Sequence, residues 1–201
     1  PDLILTMAYG QKIPQGLLDI PKLGALNLHG SILPKYRGAA PIQRAIMNGE
    51  TETGVTLMEM VDKMDAGKMF AVEKCDILIE DNYSSLCEKI VKCAIDVCLK
   101  YLPSYLEGKL NGIDQDENLV TFADKILPET EKLSLDYESA QFINFVRGMS
   151  EEPGGYLLLN DTKFKILKAR LSDATFGNEK PGTLIVNKNT YLVKSINEDA
   201  V

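Results

Sequence analysis

Apolar and polar positions alternate most sharply at Leu26-Asn27-Leu28-His29. A period of two predicts a half-buried strand with Leu26 and Leu28 in the core and Asn27 and His29 on the opposite face. Leu3 to Met7, apolar but for Thr6, predict a buried strand entering the Tyr9-Gly10 turn. Pro41 suits the first helical position, and Gln43, Ile46 and Met47 carry a helix from it to the stop at Asn48-Gly49. Val55 to Val61 and Met69 to Val72 are β-rich runs joined across Asp65-Ala66-Gly67. From Ser85 to Leu106, residues Leu86, Ile90, Val91, Ala94, Val97, Cys98, Tyr101 and Leu102 recur at helical spacing, with Ser85 and Glu88 set as a capping box.

Periodicity then lapses. Gly108 to Asp124 holds Gly112 and the acidic cluster Asp114, Asp116 and Glu117, and this predicts a linker at 108–126 between a first domain at 1–107 and a second at 127–201. The second domain opens with a helix over Tyr137 to Met149 and turns at Pro153-Gly154-Gly155. Short strands follow at Tyr156 to Leu159, Lys163 to Ala169, Gly182 to Asn187 and Thr190 to Lys194, the last two across the turn Asn187-Lys188-Asn189. Their spacing predicts a small antiparallel barrel. The chain starts without Met and stops in Asn197-Glu198-Asp199, so an interruption is expected at both ends.

With 45% hydrophobic residues in 201, the chain can bury a core, which excludes disorder as its main state. No run approaches the roughly 18 apolar residues of a membrane span, and no basic and apolar leader opens the chain. A cytoplasmic protein is expected. Cys75, Cys87, Cys93 and Cys98 form no C-x-x-C pair and have one histidine to join them, so a zinc site is not expected and the thiols read as reduced packing residues. A formal charge of −7 argues against a surface that binds nucleic acid throughout, while leaving room for a local basic patch.

The densest chemistry lies in Asn27 to Gly38. An amide and an imidazole on one face, where a strand gives way to the Gly30 loop, suit an oxygen on which negative charge develops, because both can donate hydrogen bonds. The imidazole can also move a proton near neutral pH. The same residues would equally serve as a hydrogen-bonded core histidine and a turn asparagine. A carboxylate is needed to orient the ring: Asp65, in a loop tightened by Gly67, is one candidate and Asp62 its rival, and spacing leaves the choice open. G-x-S-x-G, G-x-x-x-x-G-K-[ST] and G-x-G-x-x-G are all absent, so neither a nucleophilic serine elbow nor a phosphate loop is indicated.

Asn27-x-His29-x-Ser31-x-Leu33-Pro34-x-x-Arg37-Gly38, followed by Asp65-x-Gly67, resembles the signature of the folate-dependent formyltransferases. Ala39-Ala40-Pro41-Ile42-Gln43-Arg44-Ala45-Ile46 and Glu52-Thr53-Gly54-Val55-Thr56 are similar to the methionyl-tRNA formyltransferase branch in particular. Leu119-Val120-Thr121-Phe122-Ala123 and the helix around Ser139-Ala140 extend the likeness along nearly the whole chain. Against that family, the first third of the catalytic domain and the end of the C-terminal domain are missing.

The resemblance implies an α/β, Rossmann-like core, here partial, followed by an OB-like barrel. It implies 10-formyltetrahydrofolate as formyl donor, no metal, initiator methionyl-tRNA as acceptor, no membrane partner and a monomer. Asn27 and His29 would hold the formyl oxygen and Asp65 would pair with His29. Ser31, Ile32, Leu33 and Pro34 would cradle the folate, with Tyr9, Gly10 and Gln11 lining the pterin pocket. Lys163, Lys165, Lys168 and Arg170 would meet tRNA phosphates, unless they are the lysine defence of an edge strand. The parity of Lys168 and Arg170 differs from that of Lys163 and Lys165, which predicts a bulge. Two other readings stay open: an amino-sugar nucleotide as acceptor, and a folate- or RNA-binding module without turnover.

Overall fold

The computed structural model describes residues 1–175, 178–187, 190–195 and 201. It divides into two compact units, 1–44, 51–78 and 85–125 in one and 45–50, 79–84 and 126–201 in the other.

The first unit is a mixed four-stranded sheet in the order β1-β2-β3-β4. Strand β1 (Ile4–Met7) leads through α1 (Gln15–Leu18) to β2 (Ala25–His29), and the two strands are parallel. Strands β3 (Glu52–Glu59) and β4 (Met69–Asp76) add antiparallel neighbours. The alternation in β2 acts as its sequence requires: Leu26 and Leu28 are buried, and Leu28 faces Leu57 across the ladder. On the other face, Asn27 pairs with Thr6 and Met58 and His29 pairs with Thr56, and directly paired residues share a side of the sheet. One face is therefore apolar core and the other carries chemistry.

Helix α2 (Pro41–Met47) follows β2 with its proline at the first position, where no N–H is missed. Helix α3 (Tyr83–Leu106) buries Leu86, Ile90, Cys93, Ala94 and Val97, each large apolar side chain contributing about 1.5–3 kcal/mol, and exposes Val91, Ile95 and Leu99. It begins two residues before Ser85, so Ser85 and Glu88 lie inside the helix and do not cap it. Tyr105 near its end meets Phe70 of β4 edge-on, ring centroids 4.8 Å apart, and its hydroxyl donates to Leu23 O at 2.7 Å.

Residues 109–123 belong to the first unit. Ile113 and Met69 exchange backbone hydrogen bonds of 2.8 and 2.9 Å, a short 3-10 turn follows at Glu117–Leu119, and Ala123 N donates to Arg37 O at 2.7 Å. An aperiodic sequence here reflects backbone bonded to distant partners.

In the second unit, α4 (Ser139–Met149) starts with a capping box formed by Glu138 and Gln141. Its buried face, Phe142, Phe145, Val146 and Met149, joins Leu133, Leu157, Val193 and Val201 in one core. The expected OB-like barrel is not formed. Strands β5 (Gly155–Leu159) and β6 (Thr162–Ile166) make one two-stranded sheet, and β7 (Leu184–Asn187) and β8 (Thr190–Val193) another, with no ladder joining them among the described residues. Closure needs each outer edge to pair with the next hairpin. Here the free edge of β5 is taken by Glu131 to Leu133, through Tyr156 N to Glu131 O and Leu133 N to Tyr156 O, and Val193 of β8 is paired with Val201. Strand β6 ends at Ile166, short of the expected Ala169, and its register is continuous without a bulge; the parity change at Lys168 falls beyond the strand. The turn residues Lys188 and Asn189, and Asn197, Glu198 and Asp199, lie outside the described residues.

Candidate active site

His29 ends β2 and is 5% exposed. Its Nε2 lies 2.9 Å from Tyr36 O, and since a carbonyl can only accept, this nitrogen carries a hydrogen. Its Nδ1 faces Asp65 Oδ2 at 3.5 Å, and the same carboxylate oxygen accepts from Gly38 N at 2.9 Å. The two backbone positions that present these acceptors are unusual: Tyr36 has φ +62° and Asp65 φ +50°. Aspartate tolerates the left-handed region, but a tyrosine there is strained and is held by its surroundings, with Tyr36 N donating to Thr121 Oγ1 at 2.9 Å. Asp62, the rival carboxylate, is exposed and paired with Lys12 at 2.6 Å.

Asn27 shares the face of His29. Thr6 Oγ1 approaches Asn27 Oδ1 at 2.9 Å, nearer than Leu26 O or Met60 Sδ at 3.3 Å, and its one proton favours the closest acceptor. Fixing the amide oxygen leaves the two Nδ2 hydrogens as donors on that face.

The turn Ser31 to Pro34 is pinned from inside. Buried Thr56 Oγ1 donates to Ser31 O at 2.7 Å and accepts from Leu33 N at 3.1 Å, while Ser31 Oγ donates to Lys35 O at 2.7 Å. Ser31 and Leu33 are buried and Ile32 and Pro34 half-buried, so a ligand would meet the latter pair and the backbone. Tyr9, Gly10 and Gln11 are exposed and follow β1, which runs parallel to β2, so both strands exit at the same end of the sheet.

A second layer surrounds the acid. Arg37 is 1% exposed: its Nε donates to Gln115 Oε1 at 2.9 Å, its Nη2 to Glu117 Oε1 at 2.8 Å, and its Nη1 is buried without a partner among the described residues. The Arg37 guanidinium, with Lys63, holds the Glu117 carboxyl below the usual carboxylate range. Gln115 Nε2 donates to both Asp65 O and Gly67 O at 2.8 Å. Glycine is required at both ends of this arrangement. A Cβ on Gly38 (φ +129°) would sit 2.6 Å from Ala123 O, and one on Gly67 would run into Glu59 O. Thr6, Thr56 and Gln115 escaped the sequence reading because isolated hydroxyls and amides carry no spacing signal.

Elsewhere, Lys163 Nζ stands 4.2 Å above the Tyr156 ring, and Lys165 Nζ donates to Pro153 O. Lys168 and Arg170 follow β6 and are not on its face. The four thiols are free, and burial, with Cys93 alongside, pushes the Cys75 thiol up to about 12. Among the described residues no group of three His, Cys, Asp or Glu side chains is placed to hold a metal ion, and no helix is long and apolar enough to cross a membrane.

The formyl transferase family matches over residues 1–101, and the family of the formyl transferase C-terminal domain over residues 125–200. Curated relatives include the methionyl-tRNA formyltransferase of Lactobacillus acidophilus, 42% identical over 192 residues, covering 96% of this chain and 61% of the relative. That of Staphylococcus aureus is 41% identical over 198 residues, covering 98% and 63%. The chain thus spans about three fifths of the length of these relatives. Among solved structures, HypX from Aquifex aeolicus in complex with tetrahydrofolic acid superposes with TM-score 0.77 at 21% identity, over 100% of this chain and 35% of that one. WlaRD, a sugar 3N-formyl transferase, gives 0.79 at 20%, over 98% and 70%. At such identity these two share the fold.

Proposed function

The chain belongs to the formyl transferase family, and from that premise we propose that its protein transfers a formyl group from 10-formyltetrahydrofolate to the amino group of methionine on initiator methionyl-tRNA. The observation that carries this reading is His29 held between Tyr36 O and Asp65 on the sheet face that also bears Asn27. Relatives at 41–42% identity that are methionyl-tRNA formyltransferases support the acceptor. In this reading, residues 1–107 are part of the catalytic domain, 127–201 the C-terminal domain and 108–126 the connection between them.

Attack of the amine on the formyl carbon forms the new C–N bond and places negative charge on the formyl oxygen. Asn27 Nδ2 and His29 Nε2 donate to that oxygen, each such donor contributing about 10²- to 10³-fold in rate. Nε2–H here donates to Tyr36 O, so the formyl oxygen draws that hydrogen bond away or shares it, as catalytic hydrogen bonds often tighten only when substrate is present. Asp65 Oδ2, 3.5 Å from Nδ1, orients the ring toward the formyl oxygen. Collapse breaks the bond to the folate nitrogen, which leaves with the proton that the attacking amine gives up. Ile32, Pro34 and the backbone of Ser31 to Leu33, with Tyr9, Gly10 and Gln11, receive the folate. Lys163, Lys165, Lys168 and Arg170 offer charge to tRNA phosphates, and the protein acts as a cytoplasmic monomer.

The test is transfer of label from 10-formyltetrahydrofolate in parallel reactions with initiator methionyl-tRNA and an amino-sugar nucleotide. Label on the tRNA supports the proposal. Label on the sugar keeps the chemistry and overturns the acceptor, and label on neither points to a folate- or RNA-binding module.

A further inference from the structure

We propose that Gln115 is a positioning residue for the acid of the site: its side-chain amide clamps the left-handed turn at Asp65 and so sets the carboxylate against His29. The inference rests on the reading that His29 and Asp65 serve formyl transfer.

The orientation of this amide is dictated by its neighbours. Arg37 Nε can only donate, so the Gln115 oxygen faces it at 2.9 Å. The amide nitrogen then has two hydrogens and meets two carbonyls, Asp65 O and Gly67 O, each at 2.8 Å. Rotating the amide by half a turn would set oxygen against two oxygens and an NH₂ against an N–H. Every hydrogen-bonding atom matches in one state only.

What is clamped matters. Asp65 at φ +50° occupies a region that L residues visit seldom, and its carbonyl is fixed by Gln115. Two residues on, Gly67 lies against Glu59 O with no room for a side chain, so the second held carbonyl cannot drift. Between these two pins the chain sends Asp65 Oδ2 to Gly38 N and to His29 Nδ1. The support is itself braced: the strand-like contact at Ile113 lies two residues before Gln115, and Arg37 is bonded through its backbone to Thr121 O and Ala123 N. Without the clamp the turn relaxes toward ordinary backbone and the 3.5 Å contact, already long, opens.

Gln115→Glu separates these contributions. It keeps shape and an acceptor for Arg37, but turns a carboxylate oxygen toward two carbonyls. His29 is the one histidine in the chain, so its ring ¹⁵N signals report the Asp65 contact without substrate. We expect Gln115→Glu to move those signals in the direction that Asp65→Asn moves them. We also expect kcat for formyl transfer to fall about 10²-fold, as a small misplacement of a reacting group can cost, with KM for the folate donor within about 2-fold. In an Asp65→Asn background the same substitution should cost less than about 3-fold further, because a residue that acts through another adds little once that one is gone. Unchanged His29 signals in folded Gln115→Glu, or a rise in KM at constant kcat, overturns the proposal. If the variant does not fold, the wild type decides: slow exchange of the Gln115 side-chain amide hydrogens supports the clamp, and exchange as fast as that of exposed Gln11 overturns it. A wild type that transfers no formyl group sinks the functional reading alone, since the His29 signals still test Gln115.

Discussion

Each of the two units is held together internally by its own means. In the first, polar side chains reach backbone or other side chains 21 to 85 residues away: Thr6 to Asn27, Thr56 to Ser31, Gln115 to Asp65, Thr121 to Tyr36. In the second, an apolar cluster beneath α4 and the local pairs of the hairpins stand beside a long-range bond from Arg147 Nε to Asp81 O at 2.7 Å. Hydrophobic burial is non-directional, whereas a hydrogen bond weakens steeply as its angle closes. The proposed site, which needs donors aimed at one oxygen, lies in the unit rich in directional contacts.

Substitutions in each unit sharpen this contrast. His29→Ala should lower formyl transfer by about 10³-fold, the largest effect, with binding of the folate donor retained; turnover near wild type would break the mechanism. Asp65→Asn should lower kcat by about 10²-fold in the same assay, because the ring keeps its donor to Tyr36 and loses its charged partner. Met149→Ala should leave the His29 ring signals in place while destabilising the second unit by about 2–5 kcal/mol in denaturant melts, as fully buried methionines do. Lys163→Ala should reduce the salt slope of tRNA binding by about one unit and change kcat little; an unaltered slope would assign this lysine to the Tyr156 ring alone. Asp62→Asn, at an exposed ion pair, should stay within about 2-fold of wild-type kcat. A loss as large as that of Asp65→Asn would reverse the choice between the two acids.

Periodicity carries local structure, and the strands, α2 and the body of α3 were legible from it. The Asn27 and His29 face followed from the alternation alone. Which acid meets the imidazole did not follow, since Asp62 and Asp65 share a loop and the backbone turn at Asp65 makes the difference. The barrel was misread for a related reason. Regular spacing predicts short strands but not which edges pair, and Glu131 to Leu133, with no β signature, took the edge of β5. Gln115 was invisible because its bonds depend on contacts made 48 to 78 residues away, inside a stretch whose composition resembles a loop.

The Arg37 junction also has a consequence for the order of assembly. Its side-chain bonds to Gln115 and Glu117 close loops of 78 and 80 residues, with the whole of α3 inside them. Contacts of such sequence separation incur their chain entropy before any reward, so they form late in folding. Strand β2 and its histidine can be in place while the acidic turn is still unbraced. A nascent chain thus gains its sheet before its chemistry, and a pulse-labelled refolding experiment should find the Gln115 amide among the last groups protected.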